Sequence, residues 1–194
     1  MDAGGTDDVV HILVVCTANI CRSVMTQAAL RAEVERRGLP VEVWSSGFLY
    51  NGEPASDAAS TVLTERGLDV SEHRSRITTP KIVDHADLVV TMERRHGRDI
   101  AVMMNRPVGV FTLVTAVELL GAVNPEITDP IERIAAADAA RLDGDLLSTG
   151  PDEVEDPFGK SLKFNRKTAD RLGELSSELL DALFPQAGRT TQAD

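Results

Sequence analysis

The sequence predicts an α/β domain of three layers, a parallel sheet of about four strands with helices on both faces. Three observations carry this expectation. Short apolar runs at 9–16, 41–45, 86–92 and 108–111 alternate with stretches of helical periodicity. The runs VVHILVVC and ADLVVTM are almost continuously apolar instead of alternating, as strands buried on both faces are. The chain of 194 residues, 42% hydrophobic, is long enough for one well-buried core and too short for two ordinary domains.

The first run breaks at Thr17, Ala18 and Asn19, a turn composition. From Ser23 the pattern is helical, with Met25, Ala28, Ala29 and Ala32 on one face and Arg31, Glu33, Glu35 and Arg36 elsewhere. Gly38 and Pro40 stop that helix ahead of a second strand at 41–45. A helix over 55–66 ends at Gly67, the run at 86–92 makes a third strand with a helical segment after it, and 108–111 makes a fourth strand. The stretch 121–155 breaks this rhythm. It is acidic and rich in Ala, Asp, Pro and Gly, and reads as an insertion with one amphipathic helix around Ile131, Ile134 and Leu142. A long helix follows in which Leu172, Leu175, Leu179 and Leu183 recur at three- and four-residue steps, closed by Pro185. Residues 1–8 and 185–194 are expected to be disordered tails around a single domain at 9–184.

A net charge of −11 argues against nucleic acid as a partner, because that binding rests on neutralising backbone phosphates. No stretch approaches the roughly 18 apolar residues of a membrane span, and MDAGGTDD is acidic where a secretory signal is basic and apolar. The expectation is a cytoplasmic protein with no membrane partner. Two cysteines in such a chain fit reduced thiols with a chemical use.

That use is legible at CTANICRS, 16–23. A loop at the carboxyl end of a buried strand, opening straight into a helix, points successive backbone N–H groups of Thr17, Ala18, Asn19, Ile20, Cys21, Arg22 and Ser23 into one concavity. The helix dipole adds to the field, so the loop is a cradle for a phosphate dianion, and the same field favours the thiolate of a cysteine at its floor. Cys16 can then attack phosphorus and carry the phosphoryl group covalently. Arg22 offers a planar fork for two phosphoryl oxygens. Ser23 can cap the helix or donate its hydroxyl to the departing Cys16 thiolate. No metal or organic cofactor is required by this chemistry. The blander readings make Cys16 a small buried hydrophobe and Arg22 a surface cation. A cation at a helix N-terminus is unfavourable without an anion, which weighs against the second. Cys21 either packs under the loop or forms a reversible bridge with Cys16.

CTANICRS resembles the signature loop of the low-molecular-weight protein tyrosine phosphatases. The likeness runs on through WSSG at 44–47, GEP at 52–54, SEHRSR at 71–76, ADLVVTM and EDPFG at 155–159. It implies that Asn19, Ser23, Ser45 and His73 form a hydrogen-bonded network shaping the loop, and that Asp156 of the late Asp-Pro pair protonates the leaving group. It also implies a phosphotyrosine-containing protein as substrate. Asp129, likewise followed by Pro, reads as a helix start. The chain departs from the family pattern at Ala18, where Gly is usual, and at Val24, where Pro is usual. Around the mouth, Phe158 is followed by Gly159 in place of a second aromatic, and Leu49 beside Tyr50 stands where an aromatic wall is common. His73 is expected to be structural, and His85 and His96 to lie on the surface. Two rival functions share the cradle. An arsenate reductase of the same fold would pass arsenic to an external thiol, since no cysteine follows Cys21. A non-catalytic phosphoprotein-binding module would need neither nucleophile nor acid, yet Cys16, Arg22 and Asp156 are all present.

Overall fold

A computed structural model of the chain describes residues 9–105, 109–141 and 153–185. Four parallel strands, β1 (Val10–Cys16), β2 (Val41–Gly47), β3 (Leu88–Thr91) and β4 (Val110–Thr112), form one sheet in the order β2-β1-β3-β4. β1 is central and its buried residues point alternately into two cores. Val10, Ile12, Val14 and Cys16 meet α1 (Arg22–Arg37), α2 (Asp57–Thr64), α5 (Leu113–Gly121), α6 (Pro130–Ala140) and α7 (Leu162–Leu183). Leu13 and Val15 meet α3 (Pro80–Asp84) and α4 (Arg94–Met104) on the other face. The expected three layers are present, and the register places Cys16 beside Gly47 at the strands' carboxyl ends. Among the described residues no helix is long and apolar enough to cross a membrane.

The element boundaries follow local chemistry. α1 stops at Gly38, whose φ of 64° turns its N–H back onto the Val34 and Glu35 carbonyls. α2 begins two residues later than expected because the Ser56 side chain caps it, accepting from Ala59 N. β2 runs two residues beyond 45, where the 76–78 segment bonds to Gly47. Two helices were not anticipated. α3 is short and starts on the Thr79 cap with Pro80 in its first turn. α5 follows β4 with no loop, capped by Thr112.

The stretch read as an insertion joins the core as far as Arg141. Asp129 caps α6 by accepting from Glu132 N at 2.8 Å, and Ile134 and Ala137 are buried against the main cluster. Arg133, 2% exposed, donates to the carbonyls of Ala182, Leu120, Ile127 and Asn124 and so ties α6 to the ends of α5 and α7. Val108, Leu142 and the two tails at 1–8 and 186–194 lie outside the described residues.

Candidate active site

Residues 17–21 pass from the end of β1 to the start of α1 with four of their five carbonyls hydrogen-bonded. Thr17 O accepts from Phe48 N, Asn19 O from the His73 ring, Ile20 O from Ser56 N and Cys21 O from Met25 N, at 2.7–3.0 Å. With these carbonyls engaged, the loop's N–H groups are available to an anion over Cys16, and Asn19 N already donates to Cys16 Sγ at 3.3 Å. Asn19 supplies the bend, in the left-handed region at φ 54°, which Asn tolerates better than most residues. The loop lies so close on β2 that a Cβ on Gly47 would sit 2.8 Å from Asn19 N and 2.9 Å from Thr17 O. Glycine in WSSG is therefore a packing requirement.

Asn19, fully buried, organises the floor. Its Nδ2 donates to Ser23 Oγ at 2.9 Å and Ser45 Oγ at 2.8 Å, while its Oδ1 accepts from Arg76 N at 2.9 Å. Ser45 in turn donates to Gln27 Oε1. This fixes the direction of the network. Ser23 Oγ already accepts from Asn19, so its proton is free for Cys16 Sγ at 3.0 Å, and Asn19 N adds a second donor at 3.3 Å. Cys21, not Ser23, is the N-cap residue of α1, and no side chain caps that helix. Ser23 thus serves the sulfur. His73 Nε2 donates to Asn19 O at 2.7 Å, which sets the ring's tautomer, and burial lowers its pKa below the usual histidine value.

Arg22 is 1% exposed, yet its charge is answered. Nη1 donates to Glu93 Oε1 at 2.5 Å and Val154 O at 2.8 Å, and Nη2 lies 3.1 Å from Asp156 Oδ2. Nε is buried and has no hydrogen-bond partner among the described residues. A buried guanidinium with one unpaired N–H beside an anion cradle is poised for an oxygen of the anion. Burial raises the pKa of Glu93, but the Arg95 and Arg22 guanidiniums outweigh it and hold the carboxyl below its ordinary value.

Glu93, Arg95 and His96 were not foreseen. Arg95 donates to Thr17 Oγ1 at 2.8 Å, and His96 Nε2 lies 3.0 Å from the same oxygen. His96 is no surface residue: it is 2% exposed, stacked on Phe48 at 5.9 Å. Its place at the first turn of α4 turns it inward under the cradle, while His85 is exposed as expected.

Asp156 is about half exposed and reaches the cradle from a short strap. Val154 N bonds to Met92 O, Glu153 caps Arg94 N at 3.0 Å, and Asn165 holds Pro157 O. A cavity of about 120 Å³ opens above Cys16 between Thr17, Ala18, Ile20, Cys21, Arg22 and Asp156, walled by Leu49, Tyr50 and Phe158. Those three walls are the exposed apolar side chains the sequence placed at the mouth. Asp129 does not line this cavity and is occupied in capping α6. Both cysteines are free thiols, and burial pushes the Cys21 thiol up to about 11. Among the described residues no cluster of His, Cys, Asp and Glu is arranged to hold a metal ion.

The comparisons with known proteins agree with this geometry. A family model for low molecular weight phosphotyrosine protein phosphatase matches residues 11–139. A probable low molecular weight protein-tyrosine-phosphatase, EpsP of Ralstonia solanacearum, is 44% identical over 91 residues, 46% of this chain and 59% of the relative. The matched part of the chain thus spans under two-thirds of that relative's length. The protein-arginine-phosphatase of Bacillus subtilis is 32% identical over 174 residues, 89% of this chain and 95% of the relative. The crystal structure of the low molecular weight protein tyrosine phosphatase from T. tengcongensis superposes with a TM-score of 0.68 at 28% identity, covering 89% of this chain and 98% of that one. With the family model matching more than half of the residues, from β1 through α6, the chain belongs to the low molecular weight phosphotyrosine protein phosphatase family.

Proposed function

We propose that the chain hydrolyses aryl phosphate monoesters, with phosphotyrosine in proteins as the substrate class, through a phosphoryl group carried on Cys16. One observation supports this above the others. Cys16 Sγ takes hydrogen bonds from Ser23 and Asn19 at the floor of a cradle in which Arg22 Nε has no partner among the described residues. A phosphate dianion seated on the loop's N–H groups and on Arg22 brings phosphorus over the sulfur. Sγ attacks it in line, the ester P–O bond breaks, and Asp156 in its acid form gives a proton to the departing oxygen. Asp156 then takes a proton from water, the resulting hydroxide displaces sulfur from phosphorus, and the Ser23 hydroxyl stabilises the thiolate that leaves. The apolar mouth of Leu49, Tyr50 and Phe158 suits an aromatic ring. Two free cysteines support a reducing compartment, the cytoplasm, as the place of action.

A second reading has its own support. Relatives covering 95% of their length are named protein-arginine-phosphatases, and Asp156 at the cavity could pair with a guanidinium leaving group as readily as protonate a phenol. Cys16→Ser tests the shared mechanism: turnover of p-nitrophenyl phosphate is abolished while vanadate still binds. Near wild-type turnover in that variant overturns it. Phosphotyrosyl and phosphoarginyl forms of one peptide, assayed side by side with arsenate reduction, decide the substrate. A higher kcat/KM on phosphoarginine would give the site to the second reading.

A further inference from the structure

β2 is an edge strand, and among the described residues its outer side is paired only where Gly47 meets Ile77. Along it runs a groove of about 900 Å³, much larger than the cavity over Cys16. Val41, Val43 and Trp44 line it from the strand, with Ile82 of α3 opposite. Arg31, Arg76 and Lys81 project into the same groove, against one lining carboxylate, Glu42, which lies 3.9 Å from His11 Nε2. Arg76 and Lys81 have no ion-pair partner among the described residues. Arg31 Nε donates to Val43 O at 2.8 Å, and burial, then the Arg76 charge, lower its pKa against an opposing Glu42. Such a cationic groove on a chain of net charge −11 is a local exception to the surface around it.

We propose that this groove docks an acidic, extended segment of the phosphoprotein substrate, an assignment that rests on the phosphatase reading for the segment's owner. An extended chain advances about 3.3 Å per residue with alternating side chains. Carboxylates at alternate positions would reach Arg31, Arg76 and Lys81, while apolar residues between them pack on Trp44 and Ile82. A short acidic segment meets only the local patch. A nucleic acid carries a charge every ~1.7 Å along its duplex and would run on into the acidic remainder of the surface. The groove also adjoins the catalytic loop through one segment, since Arg76 N bonds to Asn19 Oδ1 and Arg76 O accepts from Gly47 N. Docking there holds the substrate beside the phosphatase and raises the effective concentration of its phosphorylated side chain.

Trp44 is the chain's single tryptophan, so its fluorescence reports occupancy directly. The probe is a short synthetic peptide of alternating Glu and Val without phosphate. The expected result is a saturable change in Trp44 emission that persists with vanadate bound at Cys16 and is weakened about tenfold or more by Lys81→Glu. Arg31→Gln should weaken it as well, and Lys81→Glu at an exposed position guards against loss of folding in the Arg31 variant. Lys81→Glu should leave p-nitrophenyl phosphate turnover unchanged and lower kcat/KM about tenfold for a phosphotyrosyl peptide bearing the acidic tract. No saturable change, equal affinity in both variants, displacement by vanadate, or tighter binding of single-stranded nucleic acid or anionic vesicles overturns the proposal. Peptide binding by a wild-type protein that fails to hydrolyse either phosphate ester would overturn the phosphatase reading and leave the groove a docking surface.

Discussion

Arg22 is held by two carboxylates of unequal standing. Glu93 is 17% exposed and bonds Nη1, and Asp156 is 48% exposed and lies against Nη2. The more buried partner sets the guanidinium plane, because desolvated charge pairs are screened least. The more exposed one can leave when phosphate arrives. Glu93→Gln should therefore lower kcat/KM for p-nitrophenyl phosphate by about 10–100-fold, the range of a lost hydrogen bond to a charged group. Vanadate affinity should fall alongside it. Unchanged vanadate affinity would mean that Glu93 does not orient the fork. The two Asp-Pro pairs separate by leaving-group chemistry. A phenol of low pKa departs almost unaided, while tyrosyl and phenyl esters need the proton, typically worth about 10²–10⁴-fold. Asp156→Asn should slow phenyl phosphate severely and an activated aryl phosphate much less, and Asp129→Asn should show no such grading. Rates over a series of aryl phosphates settle this, and graded loss in the Asp129 variant would move the acid to that residue.

α4 carries the supporting side of the site. Burial, opposed by the Glu93 charge and helped by the smaller effects of Arg22 and Arg95, brings the His96 pKa down from 6.5 to about 4. The sign of its effect on stability follows. Above pH ~6.5 the ring is neutral folded and unfolded; between there and pH ~4 only the unfolded chain takes the proton, so stability is lost as pH falls through that window. The loss approaches the order of 3 kcal/mol, with His73 adding in the same direction. His96→Gln should flatten most of this slope in urea midpoints measured from pH 7 to 4, and an unaltered slope would show that His96 titrates normally. The site's legibility divides along the same line. CTANICRS could be read because strand, loop and helix are contiguous, and the brace of Ser45 and His73 came with the resemblance. Glu93, Arg95 and His96 act on residues more than 70 positions away, and nothing in their spacing says so. One signal was available: Glu93 directly follows the buried run ADLVVTM, and an acid at the carboxyl end of a parallel strand beside β1 faces whatever β1 presents. α5 escaped notice for another reason. Leu113, Val114, Ala116, Val117, Leu119 and Leu120 are apolar over most of its circumference, so no polar face marks its period.

At the scale of the whole molecule, Arg133 shows that the acidic stretch after 121 is bound into the same fold as the site. It is a buried cation with no carboxylate partner among the described residues, answered by four carbonyls. Leu120 O and Ala182 O lie in the last turns of α5 and α7, where unsatisfied carbonyls carry the negative end of each helix dipole. One guanidinium therefore closes two helix ends and locks α6 over them. Replacing it by Met keeps the volume and apolar stem but takes the donor from Ala182 O and Ile127 O, while Leu120 O keeps Val123 N and Asn124 O keeps Ile127 N. Each hydrogen bond to a charged group contributes about 1.5–3 kcal/mol, and shared solvation makes the four less than additive. A loss of about 3–5 kcal/mol is expected, a large share of the ~5–15 kcal/mol of a typical domain. If α5, α6 and α7 unfold with the sheet, Arg133→Met lowers the urea midpoint of a single transition and leaves kcat and KM unchanged below that midpoint. Fluorescence of Trp44, which lies on β2 across the sheet from α6, should then fall together with the helical signal in circular dichroism. A helical transition that precedes the Trp44 transition would show instead that the α6 region folds as a separate unit.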